Sequence, residues 1–380
     1  MRPSVVGFVA ALVLLGIHRP LAACPGCSNP NLPTARAGNF ALRPGEIALA
    51  LNLTGTMLRV VHSEYCPEIG PICNQRAEPP QLHDQRFYIA ELRPVASVGI
   101  TDVLGVELQM PLRLLRTTIL FRRLDGTPFD PDYENIHHRN ETLFGLADPW
   151  LVGRATWSAD PFIVTGRAGT GIPLGRVEED PFARGRAGLP HQHIQFGTGT
   201  FYPVLAVDAG ARFGKVGVLA YLQTLLFLTD NRHGYQAGNR YVGGISGDIE
   251  VMPRLRAGLG ADILNEQPER WGGVVQQDGN VGRTDILAGG MASYAFGSVT
   301  ASLALKIPVY QHFIEVSHGQ RGDPGQLTFP AIVNLAVHTT FGAPAPPLPP
   351  STPTPPESTI PAVPSPASNG RLLVTAPPGL

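Results

Sequence analysis

The feature that most constrains this chain is an alternation of apolar and polar residues sustained over runs much longer than an ordinary strand. Between 103 and 114, Leu104, Val106, Leu108, Met110, Leu112 and Leu114 fall on one face, and Gly105, Glu107, Gln109, Pro111 and Arg113 on the other. Ala301, Leu303, Leu305, Ile307 and Val309 likewise oppose Ser302, Lys306 and Pro308. Phe329, Val333, Leu335, Val337 and Phe341 oppose Asn334, His338 and Thr340, and Ile47, Leu49, Leu51 and Leu53 oppose Ala48, Ala50, Asn52 and Thr54. Successive side chains of a strand point to opposite faces, so period two marks a sheet with two chemically different sides. A soluble sandwich alternates too, but its strands run to about five or six residues. Crossing a bilayer at a tilt takes about ten.

The pattern predicts strands over 46–57, 86–98, 102–118, 148–157, 161–173, 199–212, 215–229, 239–251, 254–265, 281–295, 298–314 and 328–341. Tight turns fall near Gly99-Ile100-Thr101, Ser158-Ala159-Asp160, Phe213-Gly214, Met252-Pro253 and Phe296-Gly297, and alternate with long connections over 58–85, 119–147, 174–198, 230–238, 266–280 and 315–327. Short turns at one end and long loops at the other are the pattern of outer-membrane barrels, with the long loops outside and both termini in the periplasm. The reading is an all-β fold: a closed antiparallel transmembrane β-barrel of about 12 strands in the bacterial outer membrane. Closure removes the edge strands, and in lipid no open sheet satisfies its backbone. Aromatic residues near strand ends, among them Tyr88, Trp150, Trp157, Tyr241 and Tyr294, suit the interfacial girdles of such a barrel.

The ends of the chain read differently. Met1-Arg2-Pro3 followed by an apolar run over Val5 to Ile17 is an export signal, too short to span a membrane. Leu21-Ala22-Ala23-Cys24 fits either a lipoprotein box, which acylates Cys24, or ordinary cleavage after Ala23. The expected organisation is a signal peptide over 1–23, a periplasmic segment with Cys24-Pro25-Gly26-Cys27 over 24–45, a barrel over 46–342 and a tail over 343–380. Eleven prolines between 343 and 366 make that tail extended and unpacked, free in the periplasm or in contact with peptidoglycan. In an exported chain, Cys66 and Cys73 read as a loop-stapling disulfide. Cys24 and Cys27 form a second candidate pair unless Cys24 is acylated.

Net charge is −1, which gives no electrostatic case for nucleic acid. Gly166-Arg167-Ala168-Gly169-Thr170-Gly171 and Gly197-Thr198-Gly199-Thr200 lack the Gly-Lys-Ser/Thr ending of a phosphate loop, and small residues on closely packed strands explain them better. Their order is informative. Gly145-Leu146-Ala147-Asp148-Pro149, Gly169-Thr170-Gly171-Ile172-Pro173-Leu174-Gly175 and Gly197-Thr198-Gly199-Thr200-Phe201-Tyr202-Pro203 follow one another. That succession resembles the meta-pathway phenol-degradation-like proteins, exported barrels assigned to outer-membrane transport, over roughly residues 40–342. The resemblance implies a pore or transporter for small hydrophobic or aromatic compounds. It implies no catalytic residues.

Candidate chemistry is sparse. Histidines concentrate in predicted loops, at His62, His83, His137, His138, His191, His193, His233 and His318. His137-His138 and His191-Gln192-His193 offer imidazoles to a transition metal, against the plainer reading of solvated loop histidines. Asp125, Asp130, Asp132 and Glu134 depart from a calcium-loop template. A surface hydrolase needs a serine and a histidine oriented by a third group; Ser317-His318 are chain neighbours, and His338 lies on the inward face. The chain is therefore read as no enzyme and as needing no cofactor. By alternation Asn52, Thr54, Glu107, Gln109, Arg113, Lys306, Asn334 and His338 line the lumen. The expected partners are outer-membrane lipid and a small-molecule solute. The expected function is a channel or transporter for small molecules; the alternatives are a metal-binding surface barrel and a structural envelope protein.

Overall fold

A computed structural model describes residues 42–66, 78–132, 135–136, 139–276, 279–314 and 328–342. The signal, both N-terminal cysteines, Cys73 and the proline-rich tail lie outside them, as do His137, His138 and His318.

The chain forms β1 (Ile47–Cys66), β2 (Glu78–Gly99), β3 (Leu104–Gln109), β4 (Leu112–Arg123), β5 (Glu141–Leu146), β6 (Trp150–Ala159), β7 (Phe162–Gly171), the short helix α1 (Pro181–Arg186), β8 (Tyr202–Phe213), β9 (Val216–Leu225), β10 (Tyr235–Gln236), β11 (Arg240–Met252), β12 (Leu255–Glu266), β13 (Arg270–Trp271), β14 (Arg283–Phe296), β15 (Val299–Phe313) and β16 (Ile332–Phe341). All but β10 and β13 belong to one antiparallel sheet, and β1 pairs with both β2 and β16, so the sheet closes on itself. β3 and β4 both pair with β2, and β6 and β5 continue on their other side, so each of these couples is one broken span. The barrel therefore has twelve antiparallel spans, as the alternation predicted.

The alternation sets which side faces lipid. Leu49, Leu51, Leu108, Leu303, Leu305, Val333 and Leu335 are exposed on the outer wall. Their neighbours Asn52, Thr54, Glu107, Ser302, Lys306 and Asn334 are buried inside. Among the described residues no helix is long and apolar enough to cross a membrane; the crossing is made by strands. Two-residue turns join β8 to β9 and β14 to β15, with Gly214 (φ 58°) and Gly297 (φ 67°) in the left-handed conformation that a Cβ disfavours.

The structure differs from the expected strand ends on one side. β1 and β2 run 20 and 22 residues and stay paired up to Cys66↔Glu78. Residues placed in long loops at 58–66, 78–85, 119–123 and 141–146 are thus strands. His62 and His83, expected in a loop, pair across this hairpin. For β1, β2 and β4 the cause is continued antiparallel pairing above the bilayer, where both faces tolerate polar residues and the hydropathy alternation fades.

Candidate ligand chamber and lumen

The lumen has two chemically distinct halves. In the lower, periplasmic half a polar network runs along the inner wall from β2 to β8. The Glu91 carboxylate accepts from Arg93 (2.6 Å) and Arg113 (2.8 Å), and Arg93 donates on to Gln109 (3.1 Å). Gln109 donates to Glu107 (2.8 Å), which also accepts from Ser97 (3.1 Å) and faces Arg167 (3.4 Å) and Arg154 (3.7 Å). Arg167 then pairs with Asp208. On the facing wall Asp262 pairs with Lys306 (3.0 Å) and accepts from the Tyr221 hydroxyl. Asn334 donates to Thr54 (2.7 Å), and Asn52 lies beside the Arg93 carbonyl (3.5 Å).

Burial decides what this network does. A water-filled channel would leave its lining exposed, yet Glu107 and Thr165 are 0 % exposed, Asn52 1 % and Asp208 2 %. The lower lumen is filled by its own paired side chains. Below it, a vestibule of about 280 Å³ is lined by Arg254, Arg256, Ser293, Ser298, Thr300 and His338. Of the residues expected to line the lumen, Glu107, Gln109 and Arg113 thus meet in one network, Asn52 and Asn334 pack beside its β2 end, and Lys306 pairs with Asp262 on the facing wall. His338 lines the vestibule.

The upper half carries two apolar clusters beside the buried ion pairs Arg240–Glu266 (2.8 Å) and Arg283–Asp285 (2.6 Å). Leu58, Phe87, Ile89, Leu115 and Leu143 cluster inside with Ile194 and Phe196 of the 172–201 loop. Trp150, Val152, Tyr202, Val204, Leu225 and Phe227 form a second cluster with Tyr235 and Trp271. The last two come from β10 and β13, on two separate loops, which pair as a small two-stranded lid packed on the wall cluster. Between the halves lies a crevice of about 30 Å³, room for about one water, bordered by Arg93, Arg113, Trp150, Phe196, Tyr202 and Phe227. Arg93 stacks over Trp150 (4.4 Å) and Arg240 over Phe227 (5.3 Å), so each cation contributes a flat surface to an aromatic wall.

Alternation alone does not find the part that holds the upper half shut. The three glycine motifs, up to 50 residues apart in sequence, meet at Asp148. Its Oδ1 accepts from the Gly175 amide (2.9 Å), and its Oδ2 accepts from the Thr198 amide (2.8 Å) and hydroxyl (2.7 Å). Both ends of the plugging loop are thereby fixed to the wall. The loop ends approach so closely that a Cβ on Gly197 would lie 2.6 Å from the Gly175 backbone. The Trp150 indole N–H donates to the Tyr202 hydroxyl (2.8 Å) beside this latch. Asp148 occupies a bulge, Ala147–Pro149, that separates β5 from β6, while Met110–Pro111 separate β3 from β4 next to it. Pro111 and Pro149 bring no N–H to the ladder. The backbone here is stitched by Met110 N to Pro94 O (3.0 Å) and Ala147 N to Pro111 O (2.8 Å).

The loop histidines are part of the plug. His191 and His193 are buried with rings 5.2 Å apart; His191 Nδ1 lies 2.8 Å from the Leu189 carbonyl, and His193 meets the edge of Phe182. Burial lowers the His191 pKa. Among the described residues no three His, Cys, Asp or Glu side chains gather as a metal cage. Glu269, in the lid between β12 and β13, has its carboxyl buried beside Trp271 and Gly279. Burial raises its pKa to about 7.

No family model matches the chain, and no curated protein matches it. Solved structures do. The chain is similar to the COG4313 outer membrane channel from Pseudomonas putida F1, at 14 % identity and a TM-score of 0.50, over 79 % of this chain and 97 % of that one. A Pseudomonas aeruginosa FadL homologue matches at 10 % identity and a TM-score of 0.38, over 78 % and 90 %. The TodX monoaromatic hydrocarbon channel, as its deltaS2S3 mutant, matches at 9 % identity and a TM-score of 0.37, over 80 % and 91 %. With its closed twelve-span wall and apolar outer belt, the chain has the fold of a bacterial outer-membrane β-barrel.

Proposed function

We propose that the protein takes small hydrophobic or aromatic molecules from outside the cell into the apolar upper lumen, and is not an aqueous pore. The observation that carries this reading is the division of the lumen: an aromatic, loop-covered chamber stands over a floor closed by paired charges. An apolar solute gains by leaving water for the upper half and has no reason to enter the lower one. The crevice holds about one water, so binding requires the 172–201 loop to give way at the Asp148 latch. The solute leaves sideways, through the seam at Met110–Pro111 and Ala147–Pro149. On the lipid face beside this seam an apolar groove of about 340 Å³ is lined by Leu49, Leu51, Ala96, Leu108, Met110 and Val337.

The test joins binding to passage. A fluorescent apolar probe should quench Trp150 emission in the folded protein and cross proteoliposomes carrying it. Leu112 and Leu146 are paired across the seam, so an oxidised L112C/L146C variant should bind the probe and fail to pass it. Unchanged passage by the locked variant would sink the lateral route, and absence of quenching would sink the chamber.

A second reading, transition-metal capture, draws on the buried His191–His193 pair. Zn²⁺ or Cu²⁺ titration of the wild type against H191A/H193A tests it, and equal affinity for both would end it.

A further inference from the structure

Four arginines sit together on the outer face of the wall, at the level where the lipid-facing belt ends. On β1 the outward row runs Ile47, Leu49, Leu51, Leu53, Gly55, Met57 and then Arg59. At about 3.3 Å per residue and a tilt near 40°, the rise from Ile47 to Met57 spans about 25 Å, the height of an outer-membrane apolar band. Arg59 therefore enters the headgroup layer of the outer leaflet.

Its neighbours repeat the charge. Arg59 lies directly opposite Arg86 on β2, and Arg86 opposite Thr118 on β4. Arg116 on β4 lies opposite Tyr88, one outward position below Arg86, and Arg122 ends the same outward row. Arg59, Arg86 and Arg116 are exposed. Among the described residues one acid, Asp84, answers them: Arg59 holds it through two 2.7 Å bonds and Arg122 stands 3.8 Å away. Like charges directly opposite on an antiparallel pair are unfavourable, so Arg59↔Arg86 at this level asks for an anion. The pattern belongs to one side of the barrel. Across the wall the matching outward row is uncharged, running Thr224, Tyr241, Asn265 and Thr284 in direct register.

We infer that this patch binds the phosphorylated glycolipid of the outer leaflet, with Arg59, Arg86 and Arg116 on its phosphates and its acyl chains against Met57, Tyr88, Leu114 and Phe144 below. Guanidinium groups bind phosphate oxygens in bidentate fashion, and phosphate placed among them relieves the cross-strand repulsion. The four apolar side chains beneath are exposed on the same face. The inference does not depend on what crosses the barrel.

The test uses the full mature chain folded in detergent and titrated with bisphosphorylated lipid A, with its phosphate-free counterpart and with inorganic phosphate. The wild type should bind the bisphosphorylated form at least about tenfold more tightly than the phosphate-free one, and inorganic phosphate should compete weakly. R59Q/R86Q/R116Q, shown to be folded by its heat-dependent gel mobility, should lose that preference. The single variant R116Q, which leaves the Arg59–Asp84 pair intact, should lose part of it. Equal wild-type affinity for both lipid forms, or full preference kept in the folded variants, would overturn the inference.

Discussion

The two halves of the lumen are built from the same strands and solve opposite problems. In the lower half, inward positions such as Glu107, Arg154, Arg167 and Asp208 neutralise one another, and they fill the space their own charges require. In the upper half, inward positions such as Leu58, Phe87 and Leu115 leave an apolar surface that the 172–201 loop covers. A closed polar layer is held by geometry that fails when one partner is lost. An apolar chamber under a loop can exchange its cover for a ligand. The floor therefore gives closure and the roof gives access.

The strongest way to break the comparison is to strike the floor. Glu107→Ala leaves Arg154 and Arg167 buried without their shared partner and should cost about 3–5 kcal/mol, read by urea unfolding of the folded barrel. The same variant should raise bilayer conductance above the near-silence expected of the wild type. Leu115→Ala strikes the roof. It should cost about 2–5 kcal/mol, leave conductance unchanged and weaken probe binding. If the conductance effects were reversed, the assignment of closure to the floor would be wrong.

The lid responds to pH. Glu269, packed beside Trp271 with Glu266 and Arg240 facing it, has a carboxyl pKa raised from 4.5 to about 7. In the closed lid it holds a proton that an exposed carboxyl releases. Closure is therefore most favourable below about pH 4.5, weakens as pH rises through 7 and is level above that, a change on the order of 3 kcal/mol at most. The protection factors of residues 267–276 and 279–282, with intrinsic exchange divided out, should fall between pH 5 and 7 in the wild type and stay flat in Glu269→Gln. Parallel pH profiles would remove Glu269 from the lid's control.

The smallest effect is expected at the latch. Asp148→Asn turns one acceptor into a donor facing the Gly175 or Thr198 amide. It should cost about 1–3 kcal/mol and speed probe entry without altering conductance. Slower entry would mean that Asp148 opens the loop rather than holding it.

Much of the wall was legible in the sequence, because a barrel in lipid leaves a period-two imprint on each span it buries. Leu104 to Leu114 announced both the outer belt and the inward Glu107, Gln109 and Arg113. Legibility faded where that imprint was blurred. Along β6, Trp150 and Val152 face inward and Leu151 outward, so both faces are apolar and the inward Arg154 did not stand out. Above the bilayer β1, β2 and β4 continue with no lipid to sort their residues, and with the short β5 they read as loops.

The sequence by itself determined the number of spans, their direction, the lipid-facing side and the polar character of the inward row, since solvent contrast acts residue by residue along a strand. Only the tertiary structure decided that the inward charges pair from strand to strand and fill the lower lumen. It alone brought three glycine motifs from distant parts of the chain to one aspartate, and set four arginines side by side on one wall. These depend on strand register and loop placement, which join residues tens of positions apart and leave no period in the chain.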